Sequence, residues 1–456
     1  MEAVKETIIE LHLGGEWVPA AKLRALGNEA CRIEYLTSYL FSENPQPISQ
    51  SLPIGWEPDT LVEGVGVDPQ YERRPPAFIY DLVPQGKGRK FLVGELGLKD
   101  SENLVMPLVM AGAFNPIGNL RLRSALDFYQ QQLAKNPEDK ALAGFDFADI
   151  KARSNDFIEH LSLHSMLAAG TTGVQGVAPK FLLARDAEDR WFADLALSDT
   201  AAQSHWLLKL PRGRSEDDLA VLRNEAAYLR LAAMCGLRTN EPPQLVDNIL
   251  ILRRFDRTVQ TKNGKSLVIR HAQESLASVA GLRGFAPKTT QNELLYVLRT
   301  AVNDPAAETL EFIKRDVLNQ AMRNTDNHAR NTSIRRFEDG TTQLSPVYDF
   351  APMFMDPEVV PRAVHWRDAD GNRLTDWTQV LSTLDISAQE RTWLIEELGK
   401  FSETVSSIPV LAKDAGVEEH VLEMCKGAIN EQAKQLGELH FADAPTEAQA
   451  MKVPRG

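Results

Sequence analysis

Along the chain, short runs alternating between apolar and polar residues come first, and a helical period near 3.6 takes over later. From about Thr7 to Pro53 the runs TIIELHL and CRIEYLTSYLF are separated by a Gly-Gly-Glu-Trp turn and proline-rich turns, which predicts a small antiparallel sheet. The stretch from Glu72 to Val83 opens on breakers, and with the basic segment Lys87 to Lys90 it reads as a solvated loop. Helical spacing runs from Leu108 to Leu142, interrupted by a turn at Pro116 to Asn119 and resuming in a helix at Ser124 to Ala134. Strand patterns return at Phe181-Leu-Leu-Ala, His205 to Pro211 and Ile249 to Arg257, the last followed by an Asn263-Gly264 hairpin signal. Between the second and third of these lies a helix from Asp218 to Cys235, stopped at Gly236. Beyond Leu276 the spacing predicts helices at Gln291 to Ala301, Ala306 to Arg323, Ser387 to Lys400, Glu403 to Ile408 and Val417 to Leu436. The fold class is therefore α+β, with β-rich amino-terminal parts before a larger, mostly helical lobe. The expected divisions are a β-rich subdomain at 1–115, a second β-containing unit at 116–275, a helical lobe at 276–440 and a flexible polar tail at 441–456.

Composition narrows the function classes. At 456 residues, 43% hydrophobic and 25% charged, the chain is long enough for two or more cores. Fifty Lys and Arg against 63 Asp and Glu leave a net charge of -13, so no overall positive field is available to hold a nucleic-acid duplex. Cys31, Cys235 and Cys425 form no C-x-x-C pair, which argues against a zinc site or a disulfide framework and for buried free thiols. The amino terminus is acidic where a signal peptide is basic, and the apolar run Leu104 to Phe114 is too short to span a bilayer. A cytoplasmic location and no membrane partner are expected.

The chemistry gathers between Asn324 and Phe350. Asp326 and Asn331 stand in a D-x-x-x-x-N arrangement, and after a polar hairpin at Asp339-Gly340 the chain returns through Val347-Tyr348-Asp349-Phe350. Phosphoryl transfer needs a carboxylate to orient and accept the acceptor proton, with an Asn and a second Asp for Mg²⁺. Solvated turns produce the same cluster. Upstream, Gly170 to Lys180 is a glycine-rich turn whose amides can form an anion nest, with Gly173, Gln175, Gly176 and Lys180 as candidate phosphate contacts. A plain hairpin explains these glycines equally. Lys209 interrupts an apolar strand, so its amine either reaches solvent or faces a cleft where an anion pairs with it. Glu225 on the following helix supplies the strand-lysine, helix-glutamate pairing that kinases use, or is an exposed helix carboxylate. The RRFDR segment ending the strand at Arg257 is either a hinge crossing a nucleotide base or an exposed strand end carrying Arg–Asp pairs.

With glycine turn, strand lysine, helix glutamate, RRFDR, TDNHARN and SPVYDFAP in this order, the chain resembles the HipA family of serine/threonine kinase toxins from bacterial type II toxin–antitoxin modules. The resemblance covers nearly the whole length, including FIYDLVPQGKGRKFL and IGNLRL in the amino-terminal part. It implies a bilobal protein-kinase-like fold, with 116–275 as the nucleotide-binding lobe. It further implies ATP and Mg²⁺ as cosubstrate and cofactor, Asp326 as the base, and Asn331 with Asp349 as metal residues. Lys209 would lie on the nucleotide phosphates, His328, Gln273 and Tyr348 elsewhere in the nucleotide site, and Phe255 at the hinge. The family's acidic hinge residue is here Arg253. The family's glycine-rich turn holds a serine that is autophosphorylated, which silences the kinase; Thr171 and Thr172 stand near its place, with Gln175 and Lys180 spaced differently. A protein substrate such as an aminoacyl-tRNA synthetase, and a helix-turn-helix antitoxin of HipB type that carries the DNA contact, are implied by the same resemblance. Two rivals remain open: an inactive pseudokinase acting as a binding subunit, and a small-molecule phosphotransferase.

Overall fold

The computed structural model describes residues 5–55, 75–101, 103–135, 144–153, 156–158, 160–161, 164, 179–262, 264–284, 287–356, 358 and 360–439. Thr171, Thr172, Gly173, Gln175, Gly176 and the expected tail lie outside them. The first sheet is antiparallel, as the alternation predicts. It contains β1 (Glu6–Leu13), β2 (Glu16–Ala25) and β3 (Cys31–Tyr35). The β1–β2 turn sits on Gly14 and Gly15, both at positive φ (60° and 89°), a geometry that a hairpin of this hand requires and a Cβ would strain.

The rest of this unit departs from the expected pattern. The second half of CRIEYLTSYLF is a short helix, Thr37–Leu40, because the chain must turn back over the sheet. Leu120–Leu122 is a fourth strand, β4, which pairs antiparallel with β1 and completes the order β3-β2-β1-β4. The stretch expected as a solvated loop forms two helices, Ala77–Asp81 and Gly86–Glu95, with Ala77 to Tyr80 buried. Ile9, Leu11, Leu23, Ile79, Leu108, Leu122 and Phe128 share one core, so helix Val105–Gly112 and helix Arg123–Lys135, on either side of position 115, pack together.

The second sheet has the antiparallel order β6-β5-β7-β9-β8. Its strands are β5 (Lys180–Arg185), β6 (Trp191–Ala193), β7 (Ser204–Lys209), β8 (Gln244–Val246) and β9 (Ile249–Arg253). A hairpin of β10 (Arg257–Lys262) and β11 (Lys265–Arg270) follows, then a three-stranded sheet of β12 (Ala272–Ser275), β13 (Ser333–Arg336) and β14 (Thr342–Leu344). The helix Glu216–Met234 starts where Ser215 accepts a hydrogen bond from the Asp218 amide. It joins the large helical core: Tyr228 and Leu231 pack with Phe312, Val317, Leu398 and Cys425.

In that core the two helices expected at Ser387 to Lys400 and Glu403 to Ile408 are one, Ala388–Ser406. Buried Leu394, Leu398, Phe401 and Val405 continue a single stripe at helical spacing across the expected break. Helices Gln291–Ala301, Pro305–Ala321 and Glu419–Gly437 lie within two residues of expectation. All three cysteines are buried. Among the described residues no helix is long and apolar enough to cross a membrane.

Candidate active site

The site forms where the second sheet, the helix Glu216–Met234 and the loops around β13 meet. Antiparallel pairing sets Lys180, the first residue of β5, directly opposite Lys209, the last of β7. Both amines reach the Asp349 carboxylate: Lys180 Nζ lies 3.2 Å from Oδ2, and Lys209 donates to Oδ1. Lys209 also donates to Glu225, so the strand lysine, itself buried, faces two carboxylates and not solvent. Glu225 is buried as well, which removes the exposed-helix alternative.

The charges settle unequally in this cluster. Burial works against the Lys209 ammonium, but the Asp349 and Glu225 carboxylates outweigh it and hold its pKa above the ordinary lysine value. Burial likewise opposes the Asp349 charge, yet two lysines face it and keep it well below the usual carboxylate range. Burial pushes the Glu225 pKa up, and the nearby Asp349 carboxylate adds to it against the pull of Lys209 and Lys180. Asp349 also sits at φ 50°, a left-handed backbone uncommon for a residue with a side chain.

The loop after helix Pro305–Ala321 is held by its asparagines. Arg323 turns the chain at φ 54°, and Asn324 Nδ2 donates to Asn319 Oδ1 at 2.9 Å. Asn327 bridges to the 363–364 backbone, donating to the Val364 carbonyl at 2.8 Å and accepting from the Ala363 amide at 3.0 Å. Asn331 Nδ2 donates to the Asp326 carbonyl at 2.8 Å, which joins the two ends of the D-x-x-x-x-N motif. His328 Nδ1 accepts from the Arg330 amide at 3.2 Å, and its Nε2 lies 3.5 Å from Asp326 Oδ1. Burial raises the Asp326 pKa, with the His328 charge opposing and the Asp349 carboxylate reinforcing it. Burial lowers the His328 pKa. Asp326, His328, Asn331, Tyr348 and Asp349 line one small cavity of about 50 Å³.

Beside it opens a larger cavity of about 370 Å³. Lys180, Lys209, Phe255, Gln273, Tyr348 and Asp349 all line it, so the sequence-predicted residues that the structure describes meet around these two spaces. The Phe255 and Tyr348 rings are 6.0 Å apart, and the Tyr348 hydroxyl donates to the Arg330 carbonyl at 2.9 Å. Arg253, on the wall of the larger cavity, lies over Trp206, and its carbonyl accepts from Asn240 Nδ2 at 2.7 Å. The RRFDR segment is not an exposed strand end: Arg254, Asp256 and Arg257 are buried. Ile117 of IGNLRL also lines the cavity, as do Leu229, Asn240 and Pro243, which no motif marked.

The donor set suits a nucleotide with Mg²⁺. Gln273 Oε1 is a buried acceptor without a partner on the cavity wall, as a base or sugar donor needs. Mg²⁺ is usually held by one or two carboxylates with substrate phosphates, and Asp349 with Asn331 supplies oxygen donors of that kind. Among the described residues no group of three or more His, Cys, Asp or Glu that could hold a metal ion is found.

A family model described as the HipA-like C-terminal domain matches residues 172–407. Two Sinorhizobium fredii (strain NBRC 101917 / NGR234) proteins whose names carry the word kinase are also similar. Y4dM is 25% identical over 356 residues, 76% of this chain and 77% of its own length. Y4mE is 25% identical over 346 residues, 72% of this chain and 73% of its own. Among solved structures, HipA of Shewanella oneidensis MR-1, determined with HipB and its operator DNA, shares the fold at a TM-score of 0.61. That likeness has 16% identity and covers 95% of this chain and 100% of that one.

Proposed function

The chain belongs to the HipA-like C-terminal domain family, and from that premise we propose that it transfers the γ-phosphoryl group of ATP to a serine or threonine hydroxyl of a protein. The observation that carries this reading is the buried Lys209, bonded to Glu225 and Asp349 on the wall of a cavity of about 370 Å³, with Asp326 and Asn331 beside Asp349. Lys180 and Lys209 present ammonium groups that can pass from carboxylate to phosphate oxygens without leaving the cluster. Gln273, Phe255 and Tyr348 line the space for the base and sugar. The acceptor hydroxyl attacks the γ-phosphorus, the bond to the β,γ-bridging oxygen breaks, ADP departs, and the hydroxyl proton passes to the Asp326 carboxylate. Asn331 and Asp349 would hold Mg²⁺, which would supply charge neutralisation on the phosphates. The protein contributes positioning and preorganised charge, which carry most of the acceleration in such reactions.

The partners follow from the family. An aminoacyl-tRNA synthetase is the proposed acceptor, and a helix-turn-helix antitoxin of HipB type the proposed neutralising partner. A net charge of -13 favours leaving most DNA contact to that antitoxin. Self-phosphorylation at Thr171 or Thr172 is part of the same proposal, and peptide mapping after incubation with ATP tests it. The central test is transfer of labelled γ-phosphate in a cell lysate with Mg²⁺, comparing wild type with Asp326→Ala. Labelled protein bands that vanish in the variant support the reading. Label on small hydroxyl compounds alone redirects it to a small-molecule phosphotransferase, and nucleotide binding without transfer to a binding subunit.

A further inference from the structure

The strand β12 is gripped residue by residue from the amino-terminal unit. At Gln273 the Pro116–Asn119 turn closes in: Gly118 stands at φ 97°, and a Cβ there would come within 3.2 Å of the Gln273 amide nitrogen. The same turn is tied to the hinge, since the Gly118 amide donates to Asp256 Oδ2 at 2.8 Å and its carbonyl accepts from Arg257 at 2.7 Å. At Glu274 the carboxylate accepts from Ser49 Oγ at 2.6 Å and from the Gln50 amide at 2.8 Å. At Ser275 the amide and hydroxyl donate to Asp81 Oδ2 and Oδ1 at 3.0 and 2.8 Å.

Asp81 does more than hold a strand. Its carboxylate also accepts from Arg330, which lies inside the TDNHARN loop between His328 and Asn331. The Arg330 side chain is 3% exposed and forks, one nitrogen on Asp81 and the other donating to the Gly284 carbonyl at 2.6 Å. The Arg330 backbone is held on both sides by site residues, its amide donating to His328 and its carbonyl accepting from Tyr348. A guanidinium in a fixed fork transmits geometry where a flexible ammonium would not. One carboxylate from FIYDLVP thus ties β12, which carries Gln273, to the loop that carries Asp326 and Asn331.

We propose that the amino-terminal unit is a working part of the phosphotransfer site, with Asp81 as the positioning residue that sets the 324–332 loop through Arg330. The inference rests on the phosphotransfer reading. Asp81 touches no reacting atom, so its removal should lower turnover and leave nucleotide affinity in place, because the Gly118 turn at Gln273 and the Ser49 and Gln50 bonds to Glu274 still hold β12 at the larger cavity.

The test uses the full chain and three variants. Asp81→Asn keeps an acceptor oxygen but loses the charge and one of the two oxygens serving Ser275. It is expected to lower kcat at least tenfold with KM for ATP within twofold. Hydrogen exchange at residues 324–332 is expected to rise at least tenfold, while exchange in helix Glu419–Gly437 is unchanged. Arg330→Lys keeps charge but cannot fork, and should fall between wild type and Arg330→Gln in kcat. The proposal is overturned if Asp81→Asn keeps kcat within twofold with unchanged loop exchange, or if exchange rises equally in both regions. If the wild-type chain transfers no phosphate, the phosphotransfer reading falls; unchanged loop exchange in Asp81→Asn would then overturn the positioning role separately.

Discussion

Two charge clusters meet at the wall of the larger cavity, and they are built from different cations. On the cavity side, Lys180 and Lys209 face Glu225 and Asp349. In the RRFDR segment, Arg254 grips Asp256 with two bonds of 2.9 and 2.7 Å and reaches Asp194 at 2.8 Å. Arg257 adds a bond of 2.6 Å to Asp256, and His205 one of 2.6 Å to Asp194. Asn115 donates to Asp194 at 2.7 Å and accepts from Arg270, which also pairs with Asp199 at 3.0 Å. A planar guanidinium is committed by its fork to the carboxylates it meets, whereas an ammonium is a point charge that can exchange partners. The arginine cluster therefore fixes the hinge against the amino-terminal unit. The lysine cluster, open to the cavity, keeps cations that an incoming phosphate can recruit.

If that division is right, breaking each cluster has a different signature. Asp326→Ala, beside the lysine cluster, should cut phosphate transfer by about 10²- to 10⁴-fold, as removal of a general base does. Asp349→Ala should likewise abolish most transfer. Circular dichroism melts near wild type would confirm that both variants fold.

In the arginine cluster the loss should appear in stability. Arg254→Ala leaves Asp194 and Asp256 without their main partner and is expected to cost about 3–5 kcal/mol, read as a fall in the urea midpoint. Arg254→Lys should recover only part of it. Transfer per folded molecule near wild type in these variants would hold the two roles apart; a loss as large as that of Asp326→Ala would merge them.

Ligand binding sharpens the contrast further. Mg²⁺ and ATP at one hundred times Kd should stabilise wild type by about 2.7 kcal/mol in a thermal or urea titration. The gain should shrink in Asp349→Ala and persist in a variant of the arginine cluster that still folds. An equal gain in all of them would show that the lysine cluster does not receive the phosphates.

The smallest effects are in pH. Transfer needs ionised Asp326, whose pKa burial raises, so the acid limb of kcat should lie above the ordinary aspartate value of about 4. At the edge of the arginine cluster, burial and then Arg335 push the His271 pKa down to about 4. The unfolded imidazole, near 6.5, binds a proton that the folded one refuses. Its contribution to stability is therefore complete above pH 6.5 and is lost as pH falls toward 4. His271→Gln should flatten the stability curve in that window, measured as urea midpoint against pH.

The contrast between the clusters also marks what the sequence could disclose. Lys209 stood out because a cation inside an apolar run needs either a path to solvent or an anion, with Glu225 on the next helix supplying one, and Asp326, Asn331 and Asp349 because their spacing lies within one short segment. Though its start was expected two residues later, at Asp218, the helix Glu216–Met234 was legible from its Gly236 stop. The arginine cluster was not, because RRFDR reads equally as an exposed strand end and its partners Asn115, Asp194 and Asp199 lie in three other segments. Helices Ala77–Asp81 and Gly86–Glu95 were hidden by Pro75, Pro76 and the glycines beside Lys87, and five to ten residues are too few to display a period. Strand β4 looked like part of a helical bridge because only its pairing with β1 makes it a strand.

The Asp81–Arg330 bond also has a bearing on when the site is completed. Its two residues stand 249 positions apart. At typical synthesis rates of about 5–20 residues per second, that separation is on the order of ten to fifty seconds of translation. Throughout that interval the nascent chain carries the Asp81 carboxylate, and from Leu122 onward all the strands of its first sheet, while the guanidinium is not yet made. Assembly of the 324–332 loop against β12 thus comes late on the ribosome, and a truncated chain ending before Arg330 carries the lysine strand but not the closure.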